Sequence, residues 1–230
     1  SDGFLEYKYK FGLLGYLFYY LMFYFITKKL KIFSCSNNFT KVQSEIIVHP
    51  SELNSIWFNR ENSEKQYQTD FLYVGRFKKE KGSFYLVKIF KDILKNYNLT
   101  IAGNDKKLIP KKYIAENINY KNSVSNIDEL IKVYDSTKIF ILPSFIEGFP
   151  KVISESLARL RPVIIFEEIK HVVNEREGIF VCKRDEKSLI DTITFILKNY
   201  NNIQKKIKKN HFYKKNNFKK ELLASIENDF

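Results

Sequence analysis

An arginine and a lysine five residues apart, Arg76 and Lys81, stand in the run Gly75-Arg76-Phe77-Lys78-Lys79-Glu80-Lys81-Gly82. A glycine lets backbone approach a ligand closely, and a guanidinium fork followed by a lysine point charge suits the two ends of a diphosphate. The run is neither GxGxxG nor a Walker loop, so ordinary dinucleotide and triphosphate motifs do not account for it. Its competing reading is a solvated lysine-rich loop. Two carboxylates eight residues apart, Glu147 and Glu155, lie in the run PSFIEGFPKVISESLA. Pro150 suits a first helical position, and the free N–H groups of that turn make a seat for an anion. Glu155 stands between Val152 and Leu157 on a face expected to be inward, and so requires a polar partner. A third segment, Ala102-Gly103-Asn104-Asp105, reads either as a ligand contact or as a plain Gly-Asn turn.

Metal chemistry is not indicated. Cys35 and Cys182 form no CxxC pair, and His49, His171 and His211 are scattered. No HExxH, paired-Asp or calcium-loop spacing offers a cage, so no protein-bound metal is expected. The cysteine usage fits a reducing, cytosolic setting.

The elements that would position these residues follow from hydropathy. Strands are expected at residues 71–75 (FLYVG), 99–103 (LTIAG), 118–122 (INYKN), 138–142 (KIFIL), 162–166 (PVIIF) and 178–182 (GIFVC), with helical patterns near 82–95, 127–134, 151–160 and 186–200. Continuously apolar strands alternating with amphipathic helices are what a parallel sheet covered on both faces requires. The fold class is α/β, with a doubly wound, Rossmann-like domain at 71–200. Such sheets bind ligands beyond the carboxyl ends of their strands, where all three segments fall.

Residues 1–58 differ in character. From Phe11 to Ile26 no side chain is charged, while Lys8 and Lys10 precede the run and Lys28, Lys29 and Lys31 follow it. Sixteen residues of helix span roughly 24 Å, short of a ~30 Å hydrocarbon core, and no cleavage site follows. Two readings stand: a helix buried against a neighbouring sheet, or an interfacial helix with Tyr and Lys at headgroup level. Residues 30–36 and 45–48 read as strands joined by a short helical link at 37–43, and the polar stretch 59–70 reads as a linker. Residues 201–230 form a basic helical tail; 205–220 hold eight lysines and no acid. Overall, 39 basic against 26 acidic side chains leave a net charge of +13 on 230 residues, which suits an anionic partner. Part of that basicity fits a chain-wide bias towards Lys, Asn, Ile, Phe and Tyr. No recognised nucleic-acid module accompanies it.

In this order, Gly75-Arg76 with Lys81-Gly82, then IAGND, then PSFIEGFPKVISESLA and RPVI, the chain resembles the C-terminal domain of a GT-B glycosyltransferase of family 4, the retaining group related to glycogen synthase. The likeness covers about residues 71–197. It implies that Arg76 and Lys81 hold the diphosphate of a nucleotide sugar, UDP- or GDP-linked. It places Glu155 on the ribose hydroxyls, Glu147 beside the donor sugar, and the backbone of Gly75, Gly148, Phe149 and Pro150 near sugar and phosphates. Val124 would meet the base, with Asn104 a further contact. The leaving diphosphate would then be stabilised by cations and a helix N-terminus without a metal.

Three departures qualify the resemblance. Pro150 replaces the second glycine of the commoner EGFG form, and Leu160-Arg161 stands where a small pair is usual, which should affect packing more than catalysis. Only about sixty residues precede the linker, against a full N-terminal domain of roughly 150 residues or more in such enzymes. The expectation is a hexosyl or N-acetylhexosaminyl transferase acting on a surface glycan or glycolipid precursor at the inner face of the membrane. The alternatives are a nucleotide-sugar-binding subunit that needs a partner chain, and a sugar-nucleotide epimerase of the same fold.

Overall fold

The computed structural model describes residues 3–27, 32–34, 45–51, 53–60 and 67–227. They divide into two compact units: residues 1–54, 146–151 and 213–230 in the first, and 55–145 with 152–212 in the second.

In the first unit, α1 (Gly3–Thr27) is broken at Gly12, whose φ of 67° and ψ of −153° leave the helical region. The arms fold back on each other. The Phe4 ring lies 4.8 Å from that of Tyr19 and 5.5 Å from that of Phe23; an unbroken helix would hold residues 4 and 23 about 28 Å apart. Gly15 sits where the arms meet, since a Cβ there would fall 2.5 Å from the Tyr7 carbonyl oxygen. Strands β1 (Ile32–Ser34) and β2 (Glu45–Ile47) pair in parallel, Phe33 opposite Ile46. The reading of a helix buried against a neighbouring sheet is corrected here: 6% of the Tyr7–Ile26 span is buried. The physical reason is size, because the two three-residue strands among the described residues of this unit cannot cover a helix of this length. The helical link expected at 37–43 lies outside the described residues.

The second unit holds the six-stranded sheet: β3 (Thr69–Val74), β4 (Leu99–Ala102), β5 (Ile118–Lys121), β6 (Thr137–Leu142), β7 (Val163–Phe166) and β8 (Ile179–Cys182). Every pairing is parallel, in the order β5-β4-β3-β6-β7-β8. All residues of β4 and β7 are buried, which explains their unbroken apolar sequence. The connections carry α2 (Ser83–Asp92), α3 (Ile127–Asp135) and α4 (Lys151–Ala158), and α5 (Glu186–Lys198) and α6 (Tyr200–Ile207) follow β8. They bury apolar stripes: Leu86, Val87, Ile89 and Phe90 from α2, Leu189, Ile193 and Ile196 from α5, Ile203 and Ile207 from α6. Asn126 caps α3 and Asp185 caps α5 by accepting from the Glu129 and Ser188 N–H groups.

The expected boundaries shift. Thr69 and Asp70 already belong to β3, and the polar stretch read as a linker is anchored at both described ends. The turn Ser55–Phe58 buries Trp57, whose ring meets Tyr134 edge-on at 5.8 Å. Arg60 donates to the Ala158 carbonyl at 3.0 Å, and Tyr67 lies under the Arg161 guanidinium at 4.9 Å. A polar composition conceals these few aromatic and arginine anchors. The tail divides too. α6 packs on the sheet domain, whereas α7 (Lys215–Glu227) belongs to the first unit, where the Tyr213 ring stacks on His49 at 4.2 Å and Glu221 meets the His49 Nδ1 at 2.9 Å.

Candidate functional site

Numbered within the second unit alone, the strand order is 3-2-1-4-5-6, and the chain reverses direction across the sheet between β3 and β6. In an open parallel sheet the crevice at that switch point, beyond the carboxyl ends of the two central strands, is where a ligand is received. The segments of this unit that leave those ends are 75–82, which contains Arg76 and Lys81, and 143–145.

The 75–82 loop is tied down atom by atom. Gly75 N–H donates to the Ala102 carbonyl at 2.9 Å. The Asn104 amide donates to the Gly75 carbonyl at 2.8 Å and accepts from the Phe77 N–H at 2.5 Å. Asn104, read from sequence as a ligand contact or a turn residue, thus uses both ends of its side chain to shape the turn that presents Arg76. The Tyr73 hydroxyl donates to the Arg76 carbonyl at 3.0 Å, and the Ser83 hydroxyl to the Lys78 carbonyl at 2.9 Å. Arg76 itself is exposed and Lys81 half-buried.

The two loops interlock. Phe145 N–H donates to the Glu80 carbonyl at 3.1 Å. Gly82 has a φ of 68°, and a Cβ there would lie 1.8 Å from the Pro143 carbonyl oxygen. Only glycine meets both conditions. Next in the chain, Glu147 is buried at 7% exposure, Gly148 and Phe149 are half-buried and Pro150 is buried. These four residues fall in the first unit, whereas Arg76, Lys81, Asn104 and Glu155 fall in the second. α4 begins at Lys151, one residue after Pro150. Val124 is half-buried in the connection from β5 to α3, on the same carboxyl edge.

Glu155, half-buried on α4, has the polar partner its position demands. The Tyr134 hydroxyl donates to one of its carboxylate oxygens at 2.8 Å. Tyr134 is fully buried, and burial, followed by the Glu155 charge, pushes its phenol well above the usual range. It therefore stays protonated and a donor.

Sequence reasoning missed Tyr134 and Arg184. The Arg184 guanidinium donates to the carbonyls of Pro143 (3.1 Å) and Ser144 (3.3 Å) and forms a two-point pair with Glu168 at 2.7 and 3.2 Å. Its carbon lies 4.0 Å from the Phe145 ring centre, 4.2 Å from that of Phe166 and 4.7 Å from that of Tyr85. Burial alone would raise the Glu168 pKa, but the hydrogen bonds and charge of Arg184, with a backbone contact, hold it below the ordinary value. A usable signal existed: Arg184 stands two residues past the last residue of β8, as Arg76 stands two past the last of β3.

Against this geometry the comparisons are decisive. The family profile of glycosyl transferases group 1 matches residues 55–214. The chain belongs to this family. A glycosyltransferase of Haemophilus influenzae is 32% identical over 123 residues, 50% of this chain and 35% of its own. The capsular polysaccharide biosynthesis glycosyltransferase CapM of Staphylococcus aureus is 32% identical over 132 residues, 53% of this chain and 34% of its own. This glycosyltransferase chain therefore spans about a third of the length of those curated relatives. Among solved structures, Anabaena Alr3699/HepE in complex with UDP and glucose superposes with a TM-score of 0.68 at 10% identity, covering 86% of this chain and 62% of that one. The fold is that of the GT-B glycosyltransferases, with a Rossmann-like sheet domain and part of a second α/β domain.

Proposed function

We propose that this chain supplies the donor side of a retaining transferase of the family 4 type, moving a hexose or N-acetylhexosamine from a UDP- or GDP-sugar to a glycan or glycolipid precursor. The observation that carries the reading is the interlock at the β3/β6 switch point between the 143–145 segment and the 75–82 loop that presents Arg76 and Lys81. Breaking the sugar–phosphate bond develops negative charge on the departing diphosphate. Arg76, Lys81 and the N–H groups opening α4 are suited to stabilise it, and a preorganised charge in such a site acts without reorganisation during the step. Glu155, with its carboxylate oriented by Tyr134, takes the ribose hydroxyls as acceptor. Glu147 lies beside the donor sugar, the backbone of Gly148, Phe149 and Pro150 approaches sugar and phosphates, and Val124 meets the base. No protein nucleophile is invoked and no metal is called on. The polysaccharide and glycolipid acceptors are suggested by CapM and by a Campylobacter jejuni N-acetylgalactosaminyltransferase acting on an undecaprenol-linked glycan, 24% identical over 139 residues.

The test is calorimetric titration with UDP and GDP, followed by transfer assays with their sugars. Binding of one diphosphate is expected, and Arg76→Ala should lower turnover about a hundredfold or more; undiminished turnover would refute the assignment. We further propose that α1 meets the inner face of an anionic membrane, because its apolar run carries exposed Phe11, Leu13, Leu14 and Phe18 between clusters of lysine. Cosedimentation with phosphatidylglycerol vesicles should be lost on Leu13→Ser/Leu14→Ser/Phe18→Ser. A second reading, a nucleotide-sugar-binding subunit completed by another polypeptide, is favoured by the two-stranded sheet β1–β2. A two-stranded sheet is rarely stable by itself. Diphosphate binding with transfer appearing only on addition of a second protein would select it.

A further inference from the structure

We infer that Arg184 is a positioning residue for the donor site, a clamp that fixes the 143–145 segment and through it the loop that carries Arg76 and Lys81; this rests on the nucleotide-sugar reading above. The guanidinium of Arg184 is committed mainly to protein partners rather than to a phosphate. Its edges donate to the Pro143 and Ser144 carbonyls and to Glu168. Its flat faces lie against Phe145, Phe166 and Tyr85, with the carbon 4.0 to 4.7 Å from the ring centres.

The elements joined in this way matter. Phe166 ends β7 and Glu168 follows it, Tyr85 is on α2 and Arg184 itself follows β8, so three separate pieces of the sheet domain converge on one loop. The loop needs such support. Pro143 and Ser144 are buried, and their carbonyls leave the regular ladder where β6 ends at Leu142. A buried carbonyl without a donor is costly, and a planar fork spreads its donors over three nitrogens in a fixed geometry that reaches both carbonyls and Glu168, whereas an ammonium offers its donors from a single nitrogen. On the other side of the same segment, the Pro143 carbonyl faces Gly82 and Phe145 N–H bonds to Glu80. A shift of Pro143 would therefore move the Arg76–Lys81 loop as well. Arg184 lies in the residues matched by the family profile but in none of the motifs that mark the donor site.

Two readouts test the clamp on the whole chain. Hydrogen–deuterium exchange in the absence of ligand should show faster exchange at residues 144–145 and 76–82 in Arg184→Gln and in Glu168→Gln, with β3 and β4 unchanged. Arg184→Lys should restore little of that protection, because it keeps the charge and loses the fork. Calorimetry with UDP and GDP should show affinity for the preferred diphosphate weakened tenfold or more in Arg184→Gln, and KM for its sugar raised more than kcat is lowered. Unchanged exchange in a folded Arg184→Gln overturns the clamp, as does full recovery in Arg184→Lys. Glu168→Gln, on a partly exposed side chain, keeps the test open if Arg184→Gln does not fold. If the unaltered chain binds neither diphosphate, the nucleotide-sugar reading fails while the exchange result still decides the clamp.

Discussion

Glu155 and Tyr134 show how a single contact separates a surface residue from a site residue. A glutamate on an amphipathic helix normally faces water, yet this one accepts a hydrogen bond from a phenol with no exposed surface. Hydrogen bonds to charged groups contribute about 1.5–3 kcal/mol, and removing the donor leaves the carboxylate undersatisfied. Tyr134→Phe is expected to lower unfolding free energy by about that amount in urea and to weaken diphosphate binding less than sugar-nucleotide turnover. The need for a partner was legible from the flanking apolar residues Val152 and Leu157; its identity was not, because Tyr134 lies on another helix. At Glu168 the consequence is a pH dependence. Its folded pKa is depressed, so the stability it contributes is complete above the ordinary glutamate value of about 4.3 and is lost as pH falls through the lower folded value. Unfolding midpoints of the unaltered chain and of Glu168→Gln should differ most near neutrality and converge below about pH 4. A difference that widens on acidification would contradict this.

Among the elements, the end of α4 is the most heavily bonded. Arg159, 1% exposed, pairs with both Asp135 oxygens and donates to the carbonyls of Trp57 and Asn59. Arg161, fully buried, donates to the carbonyls of Tyr134 and Asp135 and covers the Tyr67 ring. Between them Leu160 adopts φ 60°, and the Arg161 N–H reaches back to the Ser156 carbonyl, closing the helix. The expectation that Leu160-Arg161 acts on packing is thus given its mechanism. Removing one partner of a buried pair costs about 3–5 kcal/mol, so Asp135→Ala should lower unfolding free energy by that amount. Gly82→Ala should be comparably severe, since a Cβ would collide with the Pro143 carbonyl from a left-handed backbone. All six strands of the sheet and the helices between them were legible, because a doubly covered parallel strand must be apolar throughout, and their ends fall within two residues of expectation at every strand. The arginines were not legible. Two cations flanking Leu160 near a helix end read as solvent-facing, and only the folded carbonyls around them show why they are inside.

For the whole molecule, sequence and structure agree on a sheet domain and a smaller α/β unit but divide them differently. The cut falls after Asn54, and the basic tail contributes α6 to one unit and α7 to the other. Hydropathy gave no warning, because the anchors are short, such as Trp57 in the four-residue turn Ser55–Phe58, or single, such as Tyr67 between two glutamines. The integrity of the sheet domain has a convenient reporter. Cys182 is buried at the end of β8, and burial pushes its thiol up to about 12. Alkylation with iodoacetamide at pH 8 should therefore spare Cys182 in the native chain and label it as the sheet unfolds, tracked by mass spectrometry of its peptide. Labelling without loss of structure would show that the strand opens locally.

The break at Gly12 has a mechanical consequence. Its positive φ is a conformation that side-chain-bearing residues rarely adopt, so this position acts as the crease between two short apolar rods. Joined without the crease, the same 25 residues would make a rod about 37 Å long, longer than the ~30 Å oily interior of a bilayer; bent at Gly12, neither arm has that reach.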